Sequence, residues 1–453
     1  MHGGPCQEPL SVLISRSHAV AAAVVVALLV VAGPRAVRAE TPLSIADAVR
    51  LAVQNNERSL QAPLRVQAAE GQLDRSRAAF VPTLSAQGNT GLQSPSSNQS
   101  STSTSLTLQV PLVNLSAIPL YKQAKYQRDS EHWGAEQDVR QLVFDTARAF
   151  LTAIAAEHVL TAAKSRLSRA KATQDNAAHR AAAQLSSTND VTRAALDTSN
   201  AAATVATAQG NVTNAYLQLA FLVGQPVTDP LQVPETTTKA AQAAVPKLDD
   251  MIRQAEGLRP DLRSADAKTA SLRQSAEEPQ YRLLPTLNAQ GQVKQAAGTP
   301  AGDTGRSEVV QLALVWPIFD GGTRYGDRKA RVAQAESQDL GARLLRRSIA
   351  TDVRVAVSSL QAAREAYAIA VESVKIALRN TQETTVLYQQ GIARAIEVSD
   401  ANATRFDAEV SLANAQLNME QAYVQLRFAL GLDPAGTQEL AYPSPKPVPG
   451  SIP

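Results

Sequence analysis

The chain has 453 residues, 44 basic against 41 acidic, a formal net charge of +3, one cysteine and three methionines. These counts exclude a disulfide framework, give no basic surplus for nucleic acid, and offer no soft-ligand cluster for handling metals. A mean hydropathy of −0.16 excludes a bundle of membrane-spanning helices.

The first element is a targeting segment. Arg16 precedes an apolar run from Ala19 to Ala32, and Val37-Arg38-Ala39 puts small residues at the −3 and −1 positions of a cleavage site. Residues 1–39 read as a signal peptide, cut after Ala39. The run of about 14 residues is short of the roughly 20 that a span needs. Cys6 lies before the run, so it leaves with the signal and cannot be a lipoprotein cysteine. The arginines Arg16, Arg35 and Arg38 leave too, against Glu8 alone, and the remaining chain is close to neutral. No second long apolar run follows, so a membrane can be entered only as strands.

Ile45–Arg77 reads as a helical stretch. It leads into a strand where Leu84, Ala86 and Gly88 alternate with Ser85, Gln87 and Asn89. SPSSNQSSTSTS is a polar loop and LTLQVPLV, Leu106–Val113, the returning strand, which gives a β-hairpin over about 80–114. Strands of about ten residues match the membrane-spanning length. A long helical hairpin over about 119–223 follows, with no proline from Leu120 to Gln225. An arm of about 60 residues would reach about 90 Å. The hairpin turns within AAAQLSSTNDVTRA, Ala181–Ala194, at Leu185, Ser186 and Ser187. Residues 225–247, rich in proline, threonine and alanine, form an irregular connector.

The pattern then starts again. VPTLSAQG at Val81–Gly88 returns as LPTLNAQG at Leu284–Gly291, and AYLQLAFLVG at Ala215–Gly224 returns as AYVQLRFALG at Ala422–Gly431. Between them, Pro111 answers to Pro317. Matches in the same order mark an internal duplication, 40–224 and 248–432. The second repeat holds a helical stretch (Leu248–Glu277), a β-hairpin over about 284–319 and a helical hairpin over about 323–430. Within that hairpin Phe406, Val410, Ala413, Leu417, Val424 and Phe428 give one apolar face. A proline-rich tail, 433–453, is expected to lie loose.

The junction of strand and helix in this repeat is the most telling stretch. Val310, Leu312, Leu314, Trp316 and Ile318 share one side of a strand, with Gln311, Ala313 and Val315 on the other. Pro317 lacks a ladder donor, and Asp320-Gly321-Gly322 supplies a turn and a capping aspartate before a polar helix begins at Thr323. Trp316 and Tyr325 fit an interfacial aromatic belt, with a core role for Trp316 as the competing reading.

Four membrane-length strands cannot close a barrel, and open sheet edges do not persist in lipid. Several chains must therefore pool their strands; physics alone allows two, three or four. The fold class expected is a mixed α/β membrane protein, with four strands per chain in an oligomeric β-barrel and long helical hairpins forming an α-barrel.

A strand ending in Pro317-Ile318-Phe319-Asp320-Gly321-Gly322 and passing into a long alanine-rich helix resembles the outer-membrane efflux protein (TolC-like) family. The resemblance implies a homotrimer with a twelve-stranded barrel in the outer-membrane lipid and a helical tunnel in the periplasm. It implies a passive exit duct joined through a periplasmic adaptor to an inner-membrane pump. The family's second hairpin tip, Tyr-x-x-Gly followed by acid-Val-x-acid-Ala, is matched by Tyr388, Gly391, Glu397, Val398, Asp400 and Ala401. It implies that Glu397 and Asp400 ring the periplasmic mouth; an ordinary solvated helix face is the competing reading. Asn189-Asp190-Val191 matches the first tip, with Asp190 pairing to Tyr388. Two departures stand out: Gln184 replaces the first tip's glycine, and Ala393 replaces an arginine, with Arg394 one place along.

No HExxH, paired CxxC or phosphate-cradling lysine loop occurs, and His132, His158 and His179 are scattered. Neither an enzyme nor a cofactor is expected. The alternative is a soluble periplasmic coiled-coil or adaptor protein, against which the uncovered apolar faces of both β-hairpins argue.

Overall fold

Alanine-rich sequence gives helix over most of the computed structural model, which describes residues 42–93, 99–228, 230–297 and 305–436. The signal segment and most of the tail lie outside the described residues. The helices of the first repeat are α1 (Ile45–Asn55), α2 (Glu57–Arg77), α3 (Ala117–Ala182) and α4 (Thr188–Val223), with strands β1 (Thr83–Gln93) and β2 (Gln99–Val113) between α2 and α3. A connector helix α5 (Glu235–Gln242) follows. The second repeat has α6 (Leu248–Leu258), α7 (Pro260–Tyr281), β3 (Thr286–Ala297), β4 (Arg306–Val315), α8 (Thr323–Gln389) and α9 (Ala395–Ala429). The chain divides into two compact units. In the small one, Leu43 and Leu231 form a parallel bridge, Leu43 donating to the Pro230 carbonyl (2.8 Å) and accepting from Gln232 (2.9 Å). All the elements above belong to the other.

The arms of each helical hairpin are unequal, as the tips placed near Leu185 and Gly391 imply. α3 and α8 have 66 and 67 residues, about 100 Å at 1.5 Å per residue, while α4 and α9 return for only 36 and 35. The shorter pieces make up the difference. The stretches read as single helices, Ile45–Arg77 and Leu248–Glu277, break at Asn56 and Arg259, and each break receives the end of a returning helix. Asn56 Nδ2 donates to the Leu222 carbonyl at the end of α4 (2.9 Å), while its Oδ1 caps Arg58 N–H at the start of α2 (3.0 Å). At the second repeat's returning end, Arg140 of α3, 4% exposed, reaches across from the first repeat to the Phe428 (3.1 Å) and Leu432 (3.0 Å) carbonyls at and just past the end of α9. Gly224 (φ +75°) and Gly431 (φ +80°) close these ends, and both sit too near the breaks for a side chain. A Cβ would lie 3.0 Å from Asn55 Cβ in one case and 2.8 Å from Leu258 Cβ in the other.

Small residues let the helices approach. Buried alanines recur every seventh position in α4 (Ala194, Ala201, Ala208, Ala215), and α8 repeats the period at Ala335, Ala342, Ile349, Ala356, Ala370 and Ala377. A strict heptad implies left-handed supercoiling of α3 with α4 and of α8 with α9, the pairs in contact. The expected apolar face of α9 is buried or half-buried, with Phe406 packed on Leu160 and Ala163 of α3 and Phe428 stacked on Phe144 (4.7 Å).

The connector carries a helix where irregular chain was expected, because Glu235–Gln242 lays Thr237 and Ala241 against the second repeat. There Glu420 is 2% exposed, and its Oε1 accepts from Thr238 (2.5 Å) and Gln416 (3.0 Å). Burial pushes this carboxyl above its usual range, against the opposing pull of Thr238, Gln416 and His158. A carboxyl raised by folding holds its proton more firmly folded than unfolded. Its contribution is therefore fullest below the ordinary carboxylate range and is lost as pH rises through the raised value. Glu420→Gln keeps both contacts without the charge. It should raise the thermal unfolding temperature at neutral pH, with the gain shrinking as pH falls towards 4; a gain independent of pH would rule out ionisation as the cause.

The four strands form one antiparallel sheet ordered β1-β2-β3-β4, so the two hairpins join through β2 and β3. β4 ends at Val315, short of the expected Trp316 and Ile318, because Pro317 has no N–H to add to the ladder. Trp316 instead donates its indole N–H to the Leu283 carbonyl (3.0 Å) and stays 61% exposed, which excludes a core role within the chain.

Candidate functional site

Register fixes what each face of the sheet presents. Leu84 pairs with Leu108, Leu106 with Val293, Ala289 with Leu312, and Leu287 with Leu314. All lie on one face, and none of the described residues covers it: Leu84 is 65%, Leu312 69% and Val310 89% exposed. The other face is polar, with Thr83, Gln109, Gln290 and Gln311 in one continuous row. Gln311 donates to Gln290 (2.9 Å), and one row further from the helices Gln292 donates to Thr107 (3.3 Å). Alternation along each strand thus sorts into an apolar outside and an amide-lined inside. Among the described residues, β1 and β4 leave their outer edges unpaired.

The turn from β4 into α8 is built as its residues suggested. Asp320 Oδ1 accepts from Gly322 N–H (3.0 Å), and Oδ2 accepts from Arg324 N–H (3.1 Å), satisfying donors that the first turn of the helix leaves open. Desolvation raises the Asp320 pKa, but these two backbone donors and the Arg324 charge prevail and hold it below its usual value. Gly321 and Gly322 take positive φ, and Pro317 lies in the segment between strand and turn.

At the first tip, α3 stops at Ala182 and Gln184 adopts φ +61°, the one described non-glycine residue with positive φ. The chain thus makes the left-handed turn that glycine makes elsewhere. Ser187 Oγ then accepts from Asn189 N–H (3.1 Å) and caps α4, with Asp190 in the first turn; Ser186 Oγ is buried without a partner. Leu185, at the extreme end, is 70% exposed. At the second tip Gly391 (φ +79°) makes the same turn, Ile392 is likewise 70% exposed, and Glu397 and Asp400 both lie exposed on α9. Arg394 Nε approaches Glu397 Oε1 at 3.4 Å.

One residue ties the two tips together, and the sequence reading passed over it. Arg180, near the end of α3, donates through Nη1 to the Tyr388 carbonyl (2.6 Å), and its guanidinium carbon lies 5.0 Å from the Tyr388 ring centroid. A Cβ on Gly391 would stand 3.2 Å from its Nη2. Tyr388 is buried among Ala393, Ala395 and Val398, and its Oη finds no partner. The expected Tyr388–Asp190 hydrogen bond is therefore not made within the chain, because Arg180 and the small-residue cluster fix the ring. Asp190 still acts on it at a distance. Burial raises the Tyr388 pKa, the Arg180 charge opposes this, and Asp190 adds to it.

Among the described residues no group of histidine, cysteine or carboxylate side chains could hold a metal ion. No described helix is long and apolar enough to cross a membrane.

The family model for outer membrane efflux proteins matches residues 48–225 and 251–432, one segment for each repeat. The chain belongs to the outer membrane efflux protein family. The outer membrane protein TolC of Escherichia coli K12 is 24% identical over 356 residues, covering 74% of this chain and 70% of TolC. Two solved channels share the fold. Campylobacter jejuni CmeC has a TM-score of 0.73 at 17% identity over 85% of each chain. The open state of Neisseria gonorrhoeae MtrE has a TM-score of 0.73 at 18% identity, covering 86% of this chain and 89% of MtrE. This member of the family is an outer-membrane exit channel for efflux systems, with its strands in an oligomeric β-barrel and its helices extending into the periplasm. Its relatives are transport proteins rather than enzymes.

Proposed function

We propose that three copies of this chain close one twelve-stranded barrel and that the hairpin tips form its periplasmic gate, with Glu397 and Asp400 of each copy converging on the axis. The observation that carries the assembly is the sheet: an uncovered apolar face, an amide-lined opposite face and two open edges, a combination that lipid does not tolerate in a single chain. The helices support the same reading. Leu196, Leu217 and Phe221 on α4, and Leu344, Val355, Ile369 and Ile376 on α8, are each 58% exposed or more, which suits packing against neighbouring copies. The channel is passive. Energy comes from an inner-membrane pump, reached through an adaptor that docks at the tips, where Leu185 and Ile392 offer apolar side chains.

The test is mass and solubility. Purified chain should require detergent and run as a heat-modifiable species of three copies. A monodisperse monomer in water without detergent would overturn the barrel, and a species of two or four copies would overturn the trimer.

A further inference from the structure

The inner face of the sheet is polar but almost without charge. Nearest the helices it carries Thr286, Val315, Pro111, Asn288 and Ala313, and the next two rows outward carry amides, hydroxyls and Val309, none of them charged. The next row outward runs Gln87, Ser105, Lys294, Ser307. Among the described residues of the four strands, Lys294 is the one charged side chain on this face, and it is exposed. The strands' other charges, Arg306 and Glu308, sit on the opposite, apolar face and pair with each other (2.5 Å). Lys294 lies four residues along β3 from Gln290, about 13 Å further from the helices at about 3.3 Å per residue. It therefore belongs to the outer part of the bore, at the far end of the molecule from Glu397 and Asp400.

We propose that Lys294 sets the charge preference of the barrel. Every copy adds one ammonium to a ring inside the outer end, and the neutral bore on its helix side has nothing to offset it. The ring attracts small anions and anionic cargo leaving the channel and disfavours the return of cations. The proposal rests on the reading that several copies close one barrel with the amide face inward.

The experiment is the reversal potential of the full-length channel in a planar bilayer under a potassium chloride gradient. The set is wild type, Lys294→Gln, Lys294→Glu, Lys294→Arg and Arg306→Gln. In dilute salt near 10 mM, where charges act over about 30 Å, Lys294→Gln should raise the cation-to-anion permeability ratio on the order of twofold, and Lys294→Glu should raise it further. Near 1 M, where the range is about 3 Å, the difference should disappear. Lys294→Arg should keep the wild-type potential, and so should Arg306→Gln. Intact conductance with an unmoved potential in the Gln and Glu variants would overturn the proposal while leaving the barrel standing. An equal shift from Arg306→Gln would overturn it by reversing the faces. Wild-type chain that inserts no channels would overturn the barrel reading, and the proposal with it.

Discussion

Leu312→Arg should cost about 2–4 kcal/mol per chain if the residue sits near the bilayer midplane. Leu312 pairs with Ala289 on the apolar face and is 69% exposed, so its side chain has lipid as its only cover. The cost recurs in every copy that joins the barrel, and a marginal assembly does not survive several such penalties. The yield of heat-modifiable oligomer in the outer membrane should fall steeply. Gln311→Arg, one position away, turns to the amide face and meets water and Gln290, so it should assemble normally. Both variants add the same charge to the same strand, which removes helix stability and expression as explanations. Loss of oligomer from Gln311→Arg, with Leu312→Arg unaffected, would invert the faces and with them the assignment of the bore.

That experiment turns on a pattern legible in the sequence, because alternation is local. A side chain two positions along a strand points the same way whatever the rest of the chain does. The duplication was legible for a similar reason, since whole runs recur in order, with Gly224 and Gly431 at matching positions where positive φ restricts the residue. The helix breaks at Asn56 and Arg259 were not. Both lie between helix-forming stretches, and what stops the helix there is the arriving end of α4 or α9, a contact between residues more than 160 apart in the chain. Propensity carries no trace of such a contact. The heptad of alanines in α4 and α8 was visible in principle. Alanine is so frequent in this chain that its period is easily lost among unburied copies. At β4, apolar alternation running through Trp316 and Ile318 suggested a longer strand than Pro317 permits. The tips show the limit most plainly. Their turns could be placed from Gly391 and from SST at Ser186–Thr188. The residue that joins them, Arg180, has its partner in the other repeat, and no spacing rule connects the two.

If the tips form the gate as proposed, Arg180→Ala should loosen its closed state, and Tyr388→Phe should not. Arg180 makes a charge-assisted hydrogen bond to the Tyr388 carbonyl, a kind worth about 1.5–3 kcal/mol, and stacks on its ring for roughly 0.5–2 kcal/mol more. Removing it leaves the Tyr388 carbonyl with only its backbone donor, the Gly391 N–H (3.0 Å), and frees the first hairpin from the second. Because the loss repeats in each copy, even the lower figure moves a closed-to-open ratio by more than a factor of ten per chain. The Tyr388 hydroxyl has no partner to lose, so the phenylalanine keeps the ring, the burial and the carbonyl contact. The measurement is single-channel conductance in a planar bilayer. Arg180→Ala should raise conductance and open probability, Arg180→Lys should restore part of the closure through charge without the planar stack, and Tyr388→Phe should match wild type. If Tyr388→Phe opens the channel as far as Arg180→Ala, the hydroxyl finds a partner on a neighbouring copy. The closing contact would then run between chains through Tyr388 rather than within the chain through Arg180.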